Sequence, residues 1–153
     1  MGSFNTKRLL GLFDLMNTDK QTAYVASEFL LTDGPFESAQ NFSRINMMGK
    51  YSRYFENHDK LSVLYSMLRS RWDASGQIPQ RAVDSGLISR FGAIDDNEGG
   101  YTGRSNLLVQ HTKFIDSQTW VNSSAYFSTY YFELYSNFTL FLNDSINGEP
   151  IWV

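Results

Sequence analysis

The sequence predicts an all-β fold, an antiparallel up-and-down meander of about six long strands. The clearest observation is the alternation in 43–55, where odd positions include Ile45 and Met47 and even positions include Arg44 and Lys50. Successive side chains of a strand point to opposite sides of a sheet, so this strand has one apolar and one polar face. The second observation is that tight turns alternate with long linkers along the chain.

Six extended segments support the meander: 5–16, 21–31, 42–55, 60–72, 103–115 and 119–141. The polar turns 17–20, 56–59 and 116–118 alternate with the longer linkers 32–41 and 73–103 and the tail from 142. Such alternation predicts an up-and-down sheet whose two rims differ.

The quality of the alternation varies from strand to strand. In 60–72 it breaks at Leu68 and Trp72, which fall on the same side as Ser62 and Ser66. This break predicts either a bulge or a strand that leaves a bilayer. In 5–16, 21–31 and 119–141 the pattern leaves the orientation of the side chains open.

Composition narrows the function classes. The net charge of -3 gives no electrostatic case for nucleic acid, and the absence of cysteine excludes disulfides and thiolate metal sites. The sequence contains no run of 18 apolar residues, so no transmembrane helix is predicted. No signal peptide is recognised at the start. Neither observation bears against a transmembrane β-barrel, whose strands alternate in polarity.

Strand length favours the membrane. A strand of 13 residues is roughly 40 Å long, whereas a tilted transmembrane strand needs only about 9–11 residues. Aromatic residues near the segment ends (Tyr51, Tyr54, Trp72 and Trp120) resemble the interfacial belts of such barrels. Six strands are too few to close a membrane barrel, so the prediction is an open segment of one. The alternative is a soluble, secreted β-sandwich that binds carbohydrate through exposed aromatic side chains.

Three stretches, about half of the chain, carry a family resemblance: "YVASEFLLTDGPFESAQNFSRINMMGKYS" (24–52), "WDASGQIPQRAVDSGLISRFGAIDDNEGG" (72–100) and "YYFELYSNFTLFLND" (130–144). They resemble the barrel of TonB-dependent outer-membrane receptors, most closely the receptors with a carboxypeptidase-regulatory-like N-terminal domain. The resemblance implies a 22-stranded barrel filled by a plug, in the outer membrane of a Gram-negative bacterium. Residues 1–153 would form part of this wall without the plug, and no TonB-contact segment is recognised in them.

The function implied by the resemblance is TonB-coupled uptake of a siderophore, a glycan or a similar nutrient. The expected partners are outer-membrane lipid, the rest of the barrel, the plug, TonB through an N-terminal part, and the ligand. No enzyme activity, catalytic residue, cofactor or nucleic-acid partner is expected.

Candidate binding residues lie in two places. In the long loop and at its base, Arg81, Arg90, Arg104 and Asp95 are candidates for binding an anionic ligand, because guanidinium groups form charge-assisted bonds. The alternative is that these arginines pair with neighbouring acids and hold the loop in shape.

The even positions of 44–52 include the second set of candidates, Arg44, Asn46 and Lys50, which are expected to face the lumen. No metal site is predicted, because "IDDNEGG" (94–100) lacks the spacing of a calcium loop and the two histidines lack zinc spacing. A solvated turn is the favoured interpretation of 94–100.

Overall fold

The computed structural model describes residues 2–136, 139–140 and 149–150. Six strands form one antiparallel sheet in sequence order, which confirms the predicted meander. They are β1 (Lys7–Asn17), β2 (Gln21–Thr32), β3 (Phe42–Tyr54), β4 (Lys60–Ala74), β5 (Glu98–Phe114) and β6 (Trp120–Tyr135). Two further strands, β7 (Thr139–Leu140) and β8 (Glu149–Pro150), pair with each other, and one short helix, α1 (Gln80–Asp84), lies between β4 and β5.

The observed strands differ from the predicted segments at three places. β4 pairs with both neighbours in unbroken register, so of the two explanations for the broken alternation near Leu68 the bulge is wrong. A shift in register occurs instead in β1, between Asp14 and Met16. β5 begins at Glu98 instead of 103, so 98–100 are strand residues and not a solvated turn. Of the predicted segment 119–141, positions 137, 138 and 141 lie outside the described residues, as does most of the tail from 142.

The sheet has two chemically different faces, which the strand register defines. One row across it joins Phe13, Val25, Gly49, Tyr65, Leu107 and Phe127, and we call this side the apolar face. The next row on the opposite side joins Leu12, Ala26, Met48, Ser66, Asn106 and Ser128, and we call that side the polar face. The predicted opposition of Met47 to Arg44 and Lys50 is therefore present in the structure.

No second layer packs on either face in the part of the chain that the structure describes. The strand contacts join only neighbours within a sheet, and Ala82, in the loop helix, is the single buried apolar residue. Large apolar side chains such as Phe13 (59%) and Phe127 (66%) remain exposed. The described strands thus form one layer, and the β-sandwich alternative is wrong because a sandwich needs two packed sheets.

In β3 and β4 the polar face is the more enclosed side of the sheet. Ser52, Ser62 and Ser70, all on this face, are buried. On the apolar face of the same region, Tyr65 and Arg69 are exposed. This is the difference expected between the concave and the convex side of a curved sheet, because side chains crowd together on the concave side.

The tight turns lie at one rim of the sheet. Thr18 and Gln21 exchange backbone hydrogen bonds of 2.8 and 3.3 Å at the β1–β2 turn. At the β5–β6 turn the backbone N–H groups of Gln118 and Thr119 donate to Asp116 Oδ1 at 2.8 Å each. These bonds, above all the one from Gln118, hold the pKa of the Asp116 carboxyl below its usual value.

Asp59 connects the β3–β4 turn to the end of β5. It is 7% exposed, and its carboxylate accepts from the Phe114 backbone N–H at 2.9 Å and from Asn57 Nδ2 at 2.8 Å. His111 Nε2 lies 4.0 Å from its second oxygen. The Asp59 carboxylate therefore takes the place of a backbone acceptor from β4 for the Phe114 N–H, at the end of β5.

Substituting Asp59→Ala is expected to lower the free energy of unfolding by about 1–2 kcal/mol, because it leaves the Phe114 N–H without an acceptor. Denaturant titration measures this loss, and Asn57→Ala is the control because it removes both Asn57 side-chain bonds to Asp59 but leaves the Phe114 N–H bonded to the carboxylate. An unchanged midpoint in Asp59→Ala would show that solvent replaces the carboxylate at no cost.

The two long loops meet at the opposite rim. Residues 33–41 join β2 to β3, and 75–97 join β4 to β5. The rings of Phe36 and Phe91 pack edge to face at 6.1 Å, and the Glu37 backbone N–H donates to the Phe91 carbonyl at 3.0 Å. The two linkers are thus in contact with each other at this rim.

Among the residues that the structure describes, no helix is long and apolar enough to cross a membrane.

Candidate functional site

A charged cluster occupies the polar face near the middle of β2. Arg8 Nε donates to Glu28 Oε1 at 2.6 Å, while Arg44 Nη2 and Asn46 Nδ2 donate to Glu28 Oε2 at 3.2 and 2.8 Å. We call Arg8, Glu28, Arg44 and Asn46 the Glu28 cluster. The strand register explains it, because Glu28 is opposite Asn46 and Leu30 is opposite both Arg8 and Arg44.

Positive charge exceeds negative charge in the Glu28 cluster. The Glu28 side chain is only 12% exposed and is shared by two guanidinium groups, whose exposure is 61% for Arg8 and 34% for Arg44. Arg44 Nε is buried and has no hydrogen-bond partner in the part of the chain that the structure describes. Buried donors are usually hydrogen-bonded, so this nitrogen is an exception to the general pattern.

A groove of about 380 Å³ runs beside the cluster on the same face. Glu28, Asn46 and Arg104 contribute its polar groups, and Leu10, Met48 and Leu68 belong to its apolar lining. An apolar groove with a few convergent polar groups is the usual form of a binding surface. Arg104 adds a further positive charge here, so the surface fits an anionic group better than a cation.

Uncharged polar pairs continue from the groove across the polar face. Ser52 and Ser62 form a buried hydroxyl pair at 2.9 Å. Asn106 donates to Ser66 Oγ at 3.1 Å and accepts from Ser128 at 2.7 Å. These hydrogen bonds pair Ser52, Ser62, Ser66, Asn106 and Ser128 with one another. The charged groups of the Glu28 cluster are therefore the better candidates for binding a ligand on the polar face.

The structure separates the residues predicted to bind an anionic ligand. Arg104 lies within β5 on the polar face, beside the Glu28 cluster, about 20 Å along the strand from the loop. Arg81 lies in α1 and Arg90 is exposed next to Phe91. Asp95 accepts hydrogen bonds from the backbone and side chain of Asn97 at 2.8 and 3.0 Å.

The residues predicted to face the lumen share one face. Arg44 and Asn46 belong to the Glu28 cluster, and Lys50 lies four residues beyond Asn46 on the same strand. Lys50 lines a small polar groove with Lys60, Ser62 and Gln110. The alternation of β3 alone was enough to place these three side chains together.

Glu28 and Arg8 were missed by the sequence analysis, because the segments that carry them alternate poorly. A signal was present, since Glu28 is the only acid in the apolar stretch "YVASEFLL" (24–31). A lone carboxylate in such a strand needs a cationic partner when the strand is covered. The partner is not readable from the sequence until the register of β1 and β2 is known.

Neither a metal site nor a match to a known protein assigns a function to the Glu28 cluster. Within the described residues, no group of three or more His, Cys, Asp or Glu side chains is placed to hold a metal ion. No family model, no curated protein and no solved structure matches this chain. The relation to TonB-dependent receptors thus remains a prediction from the resemblance of the three sequence stretches.

Proposed function

We propose that this chain is part of the wall and outer mouth of an outer-membrane β-barrel receptor that imports a nutrient by TonB-coupled transport. The apolar face contacts lipid, the polar face lines the bore, and the joined loops lie at the mouth where a siderophore, a glycan or a similar ligand arrives. The role is structural and receptive, with no chemical step assigned to any residue.

The apolar face carries the proposal. On this face every strand from β2 to β6 has a stretch without charged side chains. The lengths of these stretches are close to the roughly 9–11 residues that a tilted strand needs to cross hydrocarbon. The stretches are Ala23–Leu31, Ser43–Tyr51, Leu61–Met67, Gly99–Val109 and Ser123–Tyr131. Exposed apolar surface of this extent needs a non-aqueous partner.

The edges of the sheet support a larger wall. Among the described residues, β1 pairs only with β2 and β6 pairs only with β5, so within that part of the chain each outer edge presents unpaired backbone groups. In hydrocarbon these groups are too costly to leave unpaired. Strands from the rest of the barrel are the partners that would complete both edges and close the wall.

The receptor part of the proposal rests on the sequence resemblance together with the polar face. The Glu28 cluster and Arg104 place excess positive charge on the side assigned to the bore, where the plug or a passing anionic solute would meet it. Long loops at one rim and tight turns at the other have the asymmetry of outer-membrane barrels.

Site-directed labelling tests the proposal cleanly, because the chain has no cysteine of its own. Met47 and Met67 are paired on the apolar face, whereas Met48 and Ser66 are paired on the polar face. Single-cysteine variants at these four positions would carry spin labels in this chain assembled with the strands that complete its two edges, in phosphatidylcholine vesicles.

The labels at 47 and 67 are expected to collide several-fold more often with a lipid-soluble quencher than the labels at 48 and 66. A water-soluble nickel complex is expected to show the reverse order. Equal accessibility of the two pairs to both quenchers would refute the assignment of one face to lipid and the other to water.

A further inference from the structure

An exposed arginine on the polar face lies far from every acid of the strands on that side. Arg104 forms no ion pair or hydrogen bond with any residue that the structure describes. Glu28 is in the same row but three strands away, roughly 14 Å between the backbones. Its carboxylate is already bonded to the two guanidinium groups of the Glu28 cluster.

The other acids of the six strands are no closer to Arg104 on its own face. Asp14 belongs to β1, four strands away, and Glu98 lies six residues along β5, roughly 20 Å towards the loops. Asp73 and Glu133 are on the apolar face. Charges separated by more than about 10 Å are largely screened at ordinary salt, so the positive charge of Arg104 has no counter-charge at short range.

Three aromatic side chains lie beside Arg104 on the polar face. Tyr130 is its direct partner on β6, and the ring of Phe132 is nearly parallel to that of Tyr130, at 9° and 6.4 Å. Trp72 lies 6.2 Å from Phe132, and its ring crosses β5 over Gly100, where an added Cβ would come within 2.7 Å of Trp72 Cζ2. We call Trp72, Tyr130 and Phe132 the aromatic shelf.

The aromatic shelf is open on the side assigned to the bore. Tyr130 is 67% exposed and Phe132 is 51% exposed, although the residues around them on this face are mostly small and polar. Aromatic rings attract partly positive hydrogen atoms to their faces. A ligand with carbon-bound hydrogens on a flat side would therefore cover the shelf favourably.

Amide and hydroxyl groups border the shelf and Arg104. The adjacent row contains Ser66, Asn106 and Ser128, and both Asn106 and Arg104 line the groove of about 380 Å³. Asn106 donates one N–H to Ser66, and since an amide nitrogen carries two N–H groups, it can donate to a further acceptor. The volume of the groove is in the range of small-molecule sites.

These three kinds of group together select one class of ligand. A neutral sugar would leave Arg104 without a counter-charge, and an aryl acid would offer no partner to the bordering amide and hydroxyl groups. A sugar acid satisfies all three, since it has carbon-bound hydrogens on its ring face, hydroxyl groups at its edge and a carboxylate.

We propose that Arg104 and the aromatic shelf bind a uronic acid unit of an acidic oligosaccharide. Its carboxylate accepts charge-assisted hydrogen bonds from Arg104, its ring face covers Tyr130 and Phe132, and its hydroxyl groups meet Asn106. The inference deepens the proposed function and rests on it, because it names the kind of nutrient that the polar face would meet in the bore.

Two matched disaccharides test the inference. Digalacturonate and galactobiose with the same linkage differ only in having carboxylates in place of hydroxymethyl groups. Isothermal titration calorimetry measures their affinities for this chain assembled with the strands that complete its two edges, in phosphatidylcholine nanodiscs. Digalacturonate is expected to bind about tenfold more tightly, the usual contribution of a hydrogen bond to a charged group.

Substitutions separate the contribution of charge from that of the aromatic shelf. In Arg104→Gln the preference for digalacturonate is expected to fall to about twofold or less, with the affinity for galactobiose nearly unchanged. Phe132→Ala is expected to weaken both disaccharides by a similar factor, about threefold to tenfold. Retained binding of galactobiose in Arg104→Gln also shows that the variant is folded.

A matched variant controls for general charge. Lys60→Gln removes one positive charge from the same face at the rim of the tight turns, opposite Tyr54 and Thr112. It is expected to keep the preference. Equal loss in Lys60→Gln and Arg104→Gln would overturn the site, as would a preference that Arg104→Gln retains or equal binding of the two disaccharides by the unaltered protein.

Benzoate tests the choice of a sugar acid over an aryl acid. It offers a carboxylate and a flat ring without hydroxyl groups, and it is expected to bind at least about tenfold more weakly than digalacturonate. Benzoate that binds as tightly and displaces digalacturonate would overturn the assignment to a sugar.

The outcome for this inference is distinct from that for the proposed function. Absence of binding by both disaccharides would overturn the ligand site, while unequal accessibility of the spin labels on the two faces would still support the wall. Equal accessibility of those labels would refute the proposed function itself, whatever the sugars show.

Discussion

If the apolar face meets lipid as proposed, Met47→Arg is expected to lower the free energy of unfolding from a bilayer by about 2–4 kcal/mol, the cost of a charge on the lipid side of a barrel near the midplane. Met47 lies at the middle of β3 on the apolar face, opposite Ser27 and Met67. The row of Met47 contains no carboxylate, so under the proposed function an introduced guanidinium would lack a counter-charge and would either remain in hydrocarbon or distort the bilayer.

The neighbouring methionine provides an unusually close control. Met48 is 37% exposed against 39% for Met47, yet it lies on the polar face opposite Ser66 and lines the groove beside Glu28. Met48→Arg is expected to change stability by no more than about 0.5 kcal/mol, as for an ordinary surface substitution. Both variants replace a methionine of β3 by arginine, so the effects of composition and of strand propensity on the free energy of unfolding are the same in the two.

Guanidinium titration in phosphatidylcholine vesicles, followed by tryptophan fluorescence, measures the two free energies. Similar losses in the two variants would contradict a sheet with lipid on one side and water on the other. A larger loss for Met48→Arg would reverse the assignment of the faces. In detergent-free buffer the difference between the variants is expected to disappear, because both side chains then meet water.

The meander was predictable because it depends on local signals. The polar turns fix where each hairpin reverses, and the alternation of β3 places Arg44, Asn46 and Lys50 on one side. Register was not predictable, since it depends on which strands pair. For that reason the contact of Glu28 with Arg8, twenty residues away, could not be found from the sequence.

The aromatic belt was the weakest prediction on the sheet itself. Tyr51, Tyr54, Trp72 and Trp120 were predicted to form an interfacial belt, but the register puts only Tyr51 on the apolar face and the other three on the polar face. Trp72 packs instead against Phe132 at 6.2 Å. Residue type and closeness to a strand end do not reveal which face a side chain occupies when the alternation is broken.

The start of β5 was misplaced because glycines suggest a turn. Gly99 and Gly100 belong to the strand, where they allow β4 to approach closely at Trp72 and Asp73. An added Cβ at Gly99 would lie 2.4 Å from the Trp72 carbonyl oxygen and 3.0 Å from the Asp73 Cα. Backbone atoms cannot turn aside as a side chain can, so the strands would have to separate.

Gly99→Ala is therefore expected to lower the free energy of unfolding by about 1–3 kcal/mol, the usual cost of overpacking. Gly49→Ala is the matched control, because its Cβ would meet only ordinary contacts at 3.7 Å with Tyr24 and Val25. In the interior of β3, alanine is expected to be neutral or to stabilise by about 0.5–1 kcal/mol, since glycine loses more freedom on folding.

The two alanine variants compared by denaturant titration distinguish a steric requirement from a general cost of altering glycine. A loss at position 99 alone would support close approach of β4 and β5 as the reason for the glycine pair. Equal effects at 99 and 49 would mean that the strands move apart easily at Gly99, which the continuous pairing from Ala74 to Lys60 argues against.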